Sequence, residues 1–313
     1  MESIPVRRSY FLFARLEFFT EETISRRTRT TRSLVASVFV AALALTGCTA
    51  VEEAKTEGAE QAKEVDATRI DTISPASGSL LGGETITLTG DGLSDVSSVV
   101  FGGVSATSIT AAADNQLQVV APAALDYAVG AVSVTALSDD NEVIASAANY
   151  DYQVVTAVDA QMQYAFAHWQ DYNDEVWGIF PDNDCGNFVN QTLIARGWVQ
   201  TDEWYSDWNT TGDFSDSWAR GPAMDAYFAS QTDRATRLTL EQRDQVKVGD
   251  VVMFDWDPVN ENGVDHTMLV SKVDPATGAI SMAGHTIDAQ YRDLDQAITV
   301  ENPGATAWFY SIA

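Results

Sequence analysis

The stretch DCGNFVNQTLIARGW, residues 184–198, decides the fold of the second half of the chain. Its apolar residues recur with the period of an α-helix, which predicts one buried helical face. The members of that face are Phe188, Val189, Thr192 and Ala195. Asp184 suits the N-cap position, and Gly197 after Arg196 is a helix stop signal. The pattern therefore predicts a helix whose first residue is Cys185.

A cysteine at the first position of a helix is well placed to act as a nucleophile. The unpaired amide groups and the helix dipole favour a negative charge there, so the pKa of the Cys185 thiol is expected to fall. The alternative is a buried, unreactive cysteine, which is the commoner environment of a lone cysteine. The rest of the sequence has to separate these two interpretations.

Residues 1–47 have the pattern of an export signal. Four arginines between positions 26 and 32 precede the apolar run Leu34–Leu45, which is too short to span a bilayer. The run ends in Leu-Thr-Gly before Cys48, which resembles the lipobox of bacterial lipoproteins. The alternative is an ordinary signal peptide that happens to contain a cysteine. Cys48 is therefore the expected lipidation site, and the expected location is the cell envelope, at the outer face of the cell membrane.

Composition limits the possible partners. The 313 residues carry a net charge of −27, which argues against nucleic acid and anionic wall polymers as electrostatic partners. The length suits about two domains, and two cysteines imply no disulfide framework. Residues 48–67 are polar and rich in glutamate, so we expect an acidic tether between the lipid anchor and the first domain; a short surface helix is the alternative.

Residues 68–155 contain no Cys, Trp or His and show short alternating apolar runs. The alternating positions are Ile86 and Leu88; Leu117, Val119 and Ala121; Val132, Val134 and Ala136; Tyr150, Tyr152 and Val154. Glycine-rich and aspartate-rich turns separate these runs, which predicts an antiparallel β-sandwich.

The same segment resembles the IPT/TIG immunoglobulin-like domain along its whole length. The resemblance is carried by ISPASG (73–78), GGETITLTG (82–90), VFGG (100–103) and Ala121-Pro122. It implies an all-β immunoglobulin-like sandwich. Such domains serve as spacers or binding modules, and because this one contains no chemical site we expect a spacer.

All eight tryptophans and all three histidines follow residue 157, and the change of composition near 154–158 predicts two independently folding units. An amphipathic helix is predicted over 157–172, and a second helix near 223–230. A turn and a buried strand are predicted over 246–256. Further strands are predicted over 264–273, 279–287 and 306–312.

The turn near Pro275 predicts a hairpin that brings two histidines together. If residue i pairs with residue 551 − i, within a residue or two, His266 lies opposite His285. Opposed side chains share one face of a sheet. A thiol hydrolase with Cys185 as nucleophile, His266 as base and His285 as orienting group then competes with a zinc site and with coincidental packing. The acidic loop with Asp174, Glu175, Asp182 and Asp184 could bind calcium, but it lacks a regular motif, so a solvated loop is expected.

Residues 157–313 resemble the amidase domain family of bacterial cell-surface proteins, relatives of the NlpC-type and CHAP-type papain-like cysteine hydrolases. The motifs that carry the resemblance are DCGNFVNQ (184–191), GDVVMFDW (249–256), DHTMLV (265–270) and GHT (284–286). The resemblance implies an α+β papain-like domain with the Cys helix packed on an antiparallel sheet. It implies Cys185 as nucleophile, His266 as base and His285 at a third position that varies in this group.

The sequence thus predicts a multidomain envelope protein, an immunoglobulin-like sandwich followed by a papain-like hydrolase. The expected reaction is cleavage of an amide bond, by resemblance in peptidoglycan stem peptides, with the Cys185 amide stabilising the oxyanion and no cofactor or metal. The rival is a surface binding or adhesion protein whose C-terminal domain is inactive.

Overall fold

A computed structural model describes residues 68–181 and 183–313. The export signal, Cys48 and the acidic tether lie outside the described residues, and so does Asp182 of the acidic loop. Among the helices of the described part, none has both the length and the hydropathy to cross a bilayer.

The first domain is built from β-strands. Its strands are β1 Arg69–Ser74, β2 Ser77–Ser79, β3 Thr85–Asp91, β4 Ser98–Phe101, β5 Val104–Ser105, β6 Ser108–Ala113, β7 Gln116–Val120, β8 Gly130–Leu137 and β9 Val143–Gln153. They form a four-stranded sheet, β1-β3-β7-β6, and a five-stranded sheet, β2-β9-β8-β4-β5. This architecture is the immunoglobulin-like sandwich that the alternating pattern predicts.

The alternating residues of the sequence form the core of this sandwich. Ile86 and Leu88 of β3 pair with Val119 and Leu117 of β7, and all four side chains are buried. Residues two apart on a strand point to the same face, so alternation places these apolar groups together and leaves the intervening threonines outside.

The second domain mixes helices and strands. Its helices are α1 Ala157–His168, α2 Asp174–Trp177, α3 Cys185–Ala195, α4 Trp208–Thr211, α5 Asp216–Ala219, α6 Gly221–Ser230 and α7 Leu294–Gln296. Its strands are β10 Ser206–Asp207, β11 Asp213–Phe214, β12 Ala235–Leu238, β13 Val251–Asp255, β14 His266–Val273, β15 Ile280–Gly284, β16 Ala289–Asp293 and β17 Thr306–Ile312. The predicted helix at 157–172 is thus shorter than expected.

Six of these strands form an antiparallel sheet in the order β12-β17-β13-β14-β15-β16, and α3 packs against β14 and β15. Leu269 of β14 shares a hydrophobic cluster with Phe188 of α3. Met268 belongs to a separate cluster with Phe254. Since neighbouring residues of a strand alternate between faces, one face of the sheet carries α3 and the other a second core.

The helix α3 is buried on more sides than the sequence predicts. Nine of its eleven residues are buried, including Asn187 and Asn190. Their side-chain oxygens accept hydrogen bonds from the indole nitrogens of Trp218 (2.8 Å) and Trp204 (2.9 Å). Buried polar groups need such partners, so the amides allow the tryptophan-rich segment to cover the polar side of the helix.

The two domains share an extensive junction, which differs from the expectation of two independent units. The described residues of both domains, 68–181 and 183–313, belong to a single compact unit. Oδ1 of Asp159, in the first turn of α1, accepts hydrogen bonds from Oγ of Ser79 (2.6 Å) and the amide of Leu81 (3.1 Å). The hydroxyl of Tyr127 donates to the carbonyl of Ser271 at 2.6 Å. The first domain is therefore part of the framework that holds α1 and β14.

Candidate active site

Cys185 is the first residue of α3, as the sequence predicts, and its side chain is buried. Its Sγ atom lies 4.0 Å from Oδ1 of Asn183. The backbone amides of Thr267 and Gly186 lie close enough to Sγ to lower the thiol pKa. The start of α3 therefore meets the start of β14, where His266 directly precedes Thr267.

The resting thiol is neutral, contrary to the sequence-based expectation of a lowered pKa. Burial raises the pKa of the Cys185 thiol, and the amides of Thr267, Gly186 and Cys185 itself offset only part of this effect. Removing the sulfur from water disfavours the thiolate more than the helix terminus favours it. A base is therefore needed to generate the nucleophile.

His266 is the first residue of β14 and is neutral at physiological pH. Burial, and then the nearby guanidinium of Arg292, lower the pKa of its imidazole to about 4. The ring centroid lies 6.0 Å from that of Phe254 and 5.9 Å from that of Trp256, on the face of the sheet opposite α3. Nε2 of His266 is buried and has no hydrogen-bond partner among the described residues.

His285 lies on the α3 side of the sheet and binds other partners. Its Nδ1 lies 2.5 Å from Oδ2 of Asp184, and its Nε2 lies 2.8 Å from the carbonyl oxygen of His168. The ring stacks on Tyr172 at a centroid distance of 3.7 Å. The hydrogen bond expected between the two histidines is not formed, and no hydrogen bond joins either imidazole to Sγ of Cys185 in the described part of the chain.

The register of the hairpin explains this difference. The prediction pairs Leu269 with Met282, whereas the structure pairs Leu269 with Ala283, and a bulge follows at Val270–Lys272. A shift of one residue moves side chains to the opposite face of a sheet. The predicted strand over 279–287 also ends early, at Gly284, so His285 lies in the turn after β15. There it contacts Phe188 of α3, while His266 joins the second core.

The contacts of His285 define its protons. A carbonyl oxygen can only accept, so Nε2 must carry a proton towards His168. Nδ1 then shares a second proton with the Asp184 carboxylate. The three residues form a closed polar network directly before the nucleophile. His285 therefore leaves neither a zinc-binding nitrogen nor a free base. Cys185, His266 and His285, the ligands of the alternative zinc site, do not form a metal-binding group among the described residues.

Asp184 serves this network rather than the helix cap that the sequence predicts. Its side chain makes no capping bond to the amides of α3. Oδ1 instead accepts from the amide of Phe180 (2.9 Å) and from Nδ2 of Asn187 (3.0 Å). With Oδ2 bound to His285, the carboxylate fixes the loop that precedes Cys185.

Thr286 is a site residue to which the sequence analysis assigned no role. Its hydroxyl accepts a hydrogen bond from the amide of Asp184 at 3.0 Å. Its φ angle is +75°, a strained conformation for a β-branched residue. Thr286 also lines two recesses, one of about 300 Å³ beside Asp184 and one of about 180 Å³ beside His266. The strained residue thus lies between the recess beside Asp184 and the recess beside His266.

Comparison with known proteins identifies the family of the first domain. The IPT/TIG domain family matches residues 68–154, which contain the sandwich, so the first domain is a TIG domain. Among curated proteins none matches the chain.

Several solved structures resemble part of the chain. Auxiliary nutrient binding proteins from Bacteroides ovatus (24% identity, TM-score 0.21) and Bacteroides thetaiotaomicron (26% identity, TM-score 0.22) each match over 27% of this chain and 20% of their own. A Bacteroides ovatus SGBP-B in complex with a mixed-linkage heptasaccharide matches over 30% of this chain and 24% of its own, with 18% identity and a TM-score of 0.24. The chain thus spans about a fifth to a quarter of the length of these proteins.

A second domain family matches the part of the chain that contains α3, β14 and the candidate active site. It extends over residues 151–310 and so over more than half of the 313 residues, and the chain therefore belongs to the family described as "Putative amidase domain".

Proposed function

We propose that this chain is an exported, lipid-anchored cysteine hydrolase that cleaves an amide bond, with Cys185 as nucleophile and His266 as base. The observation that carries the proposal is the meeting of two elements: the thiol at the start of α3 lies against the Thr267 amide, next to His266. Membership of the amidase domain family supports hydrolysis of an amide.

The protonation states of the two side chains suit this assignment. A raised thiol pKa and an imidazole pKa of about 4 make both groups neutral at pH 7. The imidazole then accepts the thiol proton only as the sulfur attacks the carbonyl carbon. This step requires the His266 ring to turn towards Sγ, and catalytic hydrogen bonds are often long before substrate binds.

The remaining steps follow from acyl transfer chemistry. The amides of Cys185 and Thr267 face the sulfur and are placed to donate to the oxygen that becomes negative. His266 returns the proton to the leaving amine as the carbon–nitrogen bond breaks, which leaves a thioester on Cys185. Water then attacks the thioester with His266 as base, and the free acid and the thiol are released.

His285 acts as a positioning residue in this scheme. Its bond to Asp184 and the bond from the Asp184 amide to Thr286 hold the residue before the nucleophile. The imidazole does not touch the reacting atoms.

A peptidoglycan stem-peptide amide is the substrate that the family resemblance favours. The test is to incubate purified peptidoglycan with the full-length chain and identify released fragments by mass spectrometry. We expect new amine and carboxyl ends from the unaltered protein and none above background from Cys185→Ala. An identical fragment pattern from both proteins, or no fragments from either, contradicts the proposal and leaves the surface-binding alternative.

The proposed location depends on Cys48, which follows the lipobox-like sequence. In cells, the unaltered protein should partition into the detergent phase, because an acyl chain contributes about 0.8 kcal/mol per buried methylene. Cys48→Ala should move the protein to the aqueous phase. Equal partition of the two proteins in detergent extraction contradicts lipid anchoring and leaves the catalytic proposal unaffected.

A further inference from the structure

A buried arginine beside His266 has an unused donor. The side chain of Arg292, on β16, is 9% exposed, and its Nη2 binds the carboxylate of Glu301. Its Nη1 is buried and has no hydrogen-bond partner among the described residues. A buried donor without an acceptor costs about 1–3 kcal/mol, so this atom calls for an acceptor that residues 68–181 and 183–313 do not provide.

Arg292 lines the same small recess as the candidate base. Arg292, His266, Trp256 and Thr286 all line the recess of about 180 Å³. Nε2 of His266 is the second buried atom there without a partner. Two residues that line this recess thus each carry a buried nitrogen without a hydrogen-bond partner among the described residues.

The acidic residue at this recess does not fill that position. Oδ2 of Asp265 accepts from the amide of Trp256 at 2.8 Å, and its Oδ1 accepts from Nδ2 of Asn262 at 3.2 Å. Both oxygens of Asp265 are therefore engaged away from the guanidinium.

We infer that this recess binds a carboxylate of the substrate through Arg292 and His266. The inference rests on the proposed function and specifies its substrate class. His266 protonates the leaving amine, so the group that reaches the recess behind His266 belongs to the leaving amine. The favoured substrates are amides whose leaving group is an amino acid with a carboxylate close to the cleaved nitrogen. A planar carboxylate matches the guanidinium and fits a small recess.

A carboxylate bound in this recess would also prepare His266 to act as the base. Burial, and then the Arg292 charge, hold the pKa of His266 down, which makes the imidazole a poor acceptor for the thiol proton. A bound anion offsets that charge and accepts from Nε2–H, so Nδ1 becomes the nitrogen that receives the proton. The carboxylate of the substrate thereby orients the His266 imidazole, a role that His285 does not fill because it is bound to Asp184.

The test uses N-acetylglycine as the carboxylate probe and N-acetylglycinamide as its neutral match. The full-length protein carries Cys185→Ala, which prevents turnover, and its histidines are isotope-labelled. The NMR signal of His266 is followed at pH 6.5 as each probe is added. We expect saturable shifts with N-acetylglycine and none with the amide. Arg292→Gln should raise the Kd of N-acetylglycine about tenfold, since a charge-assisted hydrogen bond is lost.

Two control variants separate binding from structure. Arg237→Gln removes the same charge from β12, at the opposite edge of the sheet, where Arg237 lies over Trp308. Glu301→Gln breaks the ion pair of Arg292 without removing the guanidinium. Both should keep the N-acetylglycine Kd within about threefold of the parent, which leaves the tenfold effect to Arg292.

The outcomes distinguish this inference from the proposed function. Equal shifts with both probes, no saturable shift, or an unchanged Kd in Arg292→Gln overturns the carboxylate site even if peptidoglycan is cleaved. A carboxylate site that behaves as expected in a protein that cleaves no amide contradicts the proposed function alone.

Discussion

Replacing His266 with alanine should lower the rate of amide hydrolysis by about 10²–10⁴-fold, the usual contribution of a general base. The Cys185 thiol is buried and its pKa is raised, so without an acceptor for its proton little nucleophile forms near neutral pH. The measurement is the initial rate of fragment release from peptidoglycan by His266→Ala and by the unaltered protein, at equal concentration and pH 7.

The pH dependence of hydrolysis gives an independent check of this prediction. The base must be unprotonated, and the pKa of His266 is about 4, so the rate of the unaltered protein should fall as the pH drops through about 4. In His266→Ala the residual rate should rise with the thiolate fraction up to the raised pKa of Cys185. A residual rate that stays flat with pH, or a loss smaller than tenfold, means that His266 is not the base.

His285→Asn provides the matched comparison for His266→Ala. Asn can still donate to Asp184 but cannot carry a charge, so the loop before Cys185 should keep its position and much of the rate. A loss as large as that of His266→Ala contradicts the positioning role.

Asp159→Ala should lower the free energy of unfolding by about 3 kcal/mol, because several buried donors lose their acceptor. Its carboxylate accepts from Ser79 and Leu81 of the first domain and from the amides of Val155 and Thr156. The measurement is guanidinium-induced unfolding of the full-length chain at pH 7. The exposed Asp140→Ala is the control and should change stability by less than about 0.5 kcal/mol.

The effect of Asp159 should depend on pH with a defined sign. Burial alone raises the pKa of this carboxyl, but the hydrogen bonds from Ser79, Thr156 and Val155 outweigh burial and lower it. The stabilisation is therefore present above the unfolded-state pKa of about 3.9 and is lost as the pH falls through the lower folded-state value. Unfolding in two separate steps, with Asp159→Ala as stable as Asp140→Ala, contradicts a coupled junction.

Sequence reasoning predicts the local elements well because their signals are local. The period of apolar residues identifies α3, and Gly197, with φ +105°, ends it as expected. Alternation places Ile86 and Leu88 inside the sandwich. These features depend on neighbours a few residues away, so the chain itself carries the information.

The arrangement of the site depends on features that no local pattern carries. The bulge at Val270–Lys272 changes the hairpin register by one residue, and the strand β15 ends at Gly284, so His285 lies in the turn after it. The Asp159 junction joins residues about 80 positions apart. Arg292 becomes notable only when folding leaves its Nη1 without an acceptor. One available signal was its position as a single cation in the acidic segment 288–295.

The helix α1 connects the domain junction to the candidate active site. Its first turn is fastened to the TIG domain through Asp159, and its last residue, His168, offers the carbonyl that holds His285. Asp159 and His168 are nine residues apart, so at about 1.5 Å per residue the helix separates these points by roughly 14 Å. A pull on the TIG domain would load the Asp159 bonds, the bond from Tyr127 to Ser271 and, through α1, the carbonyl that holds His285. Tension on the domain should therefore act on the candidate site as well as on the junction.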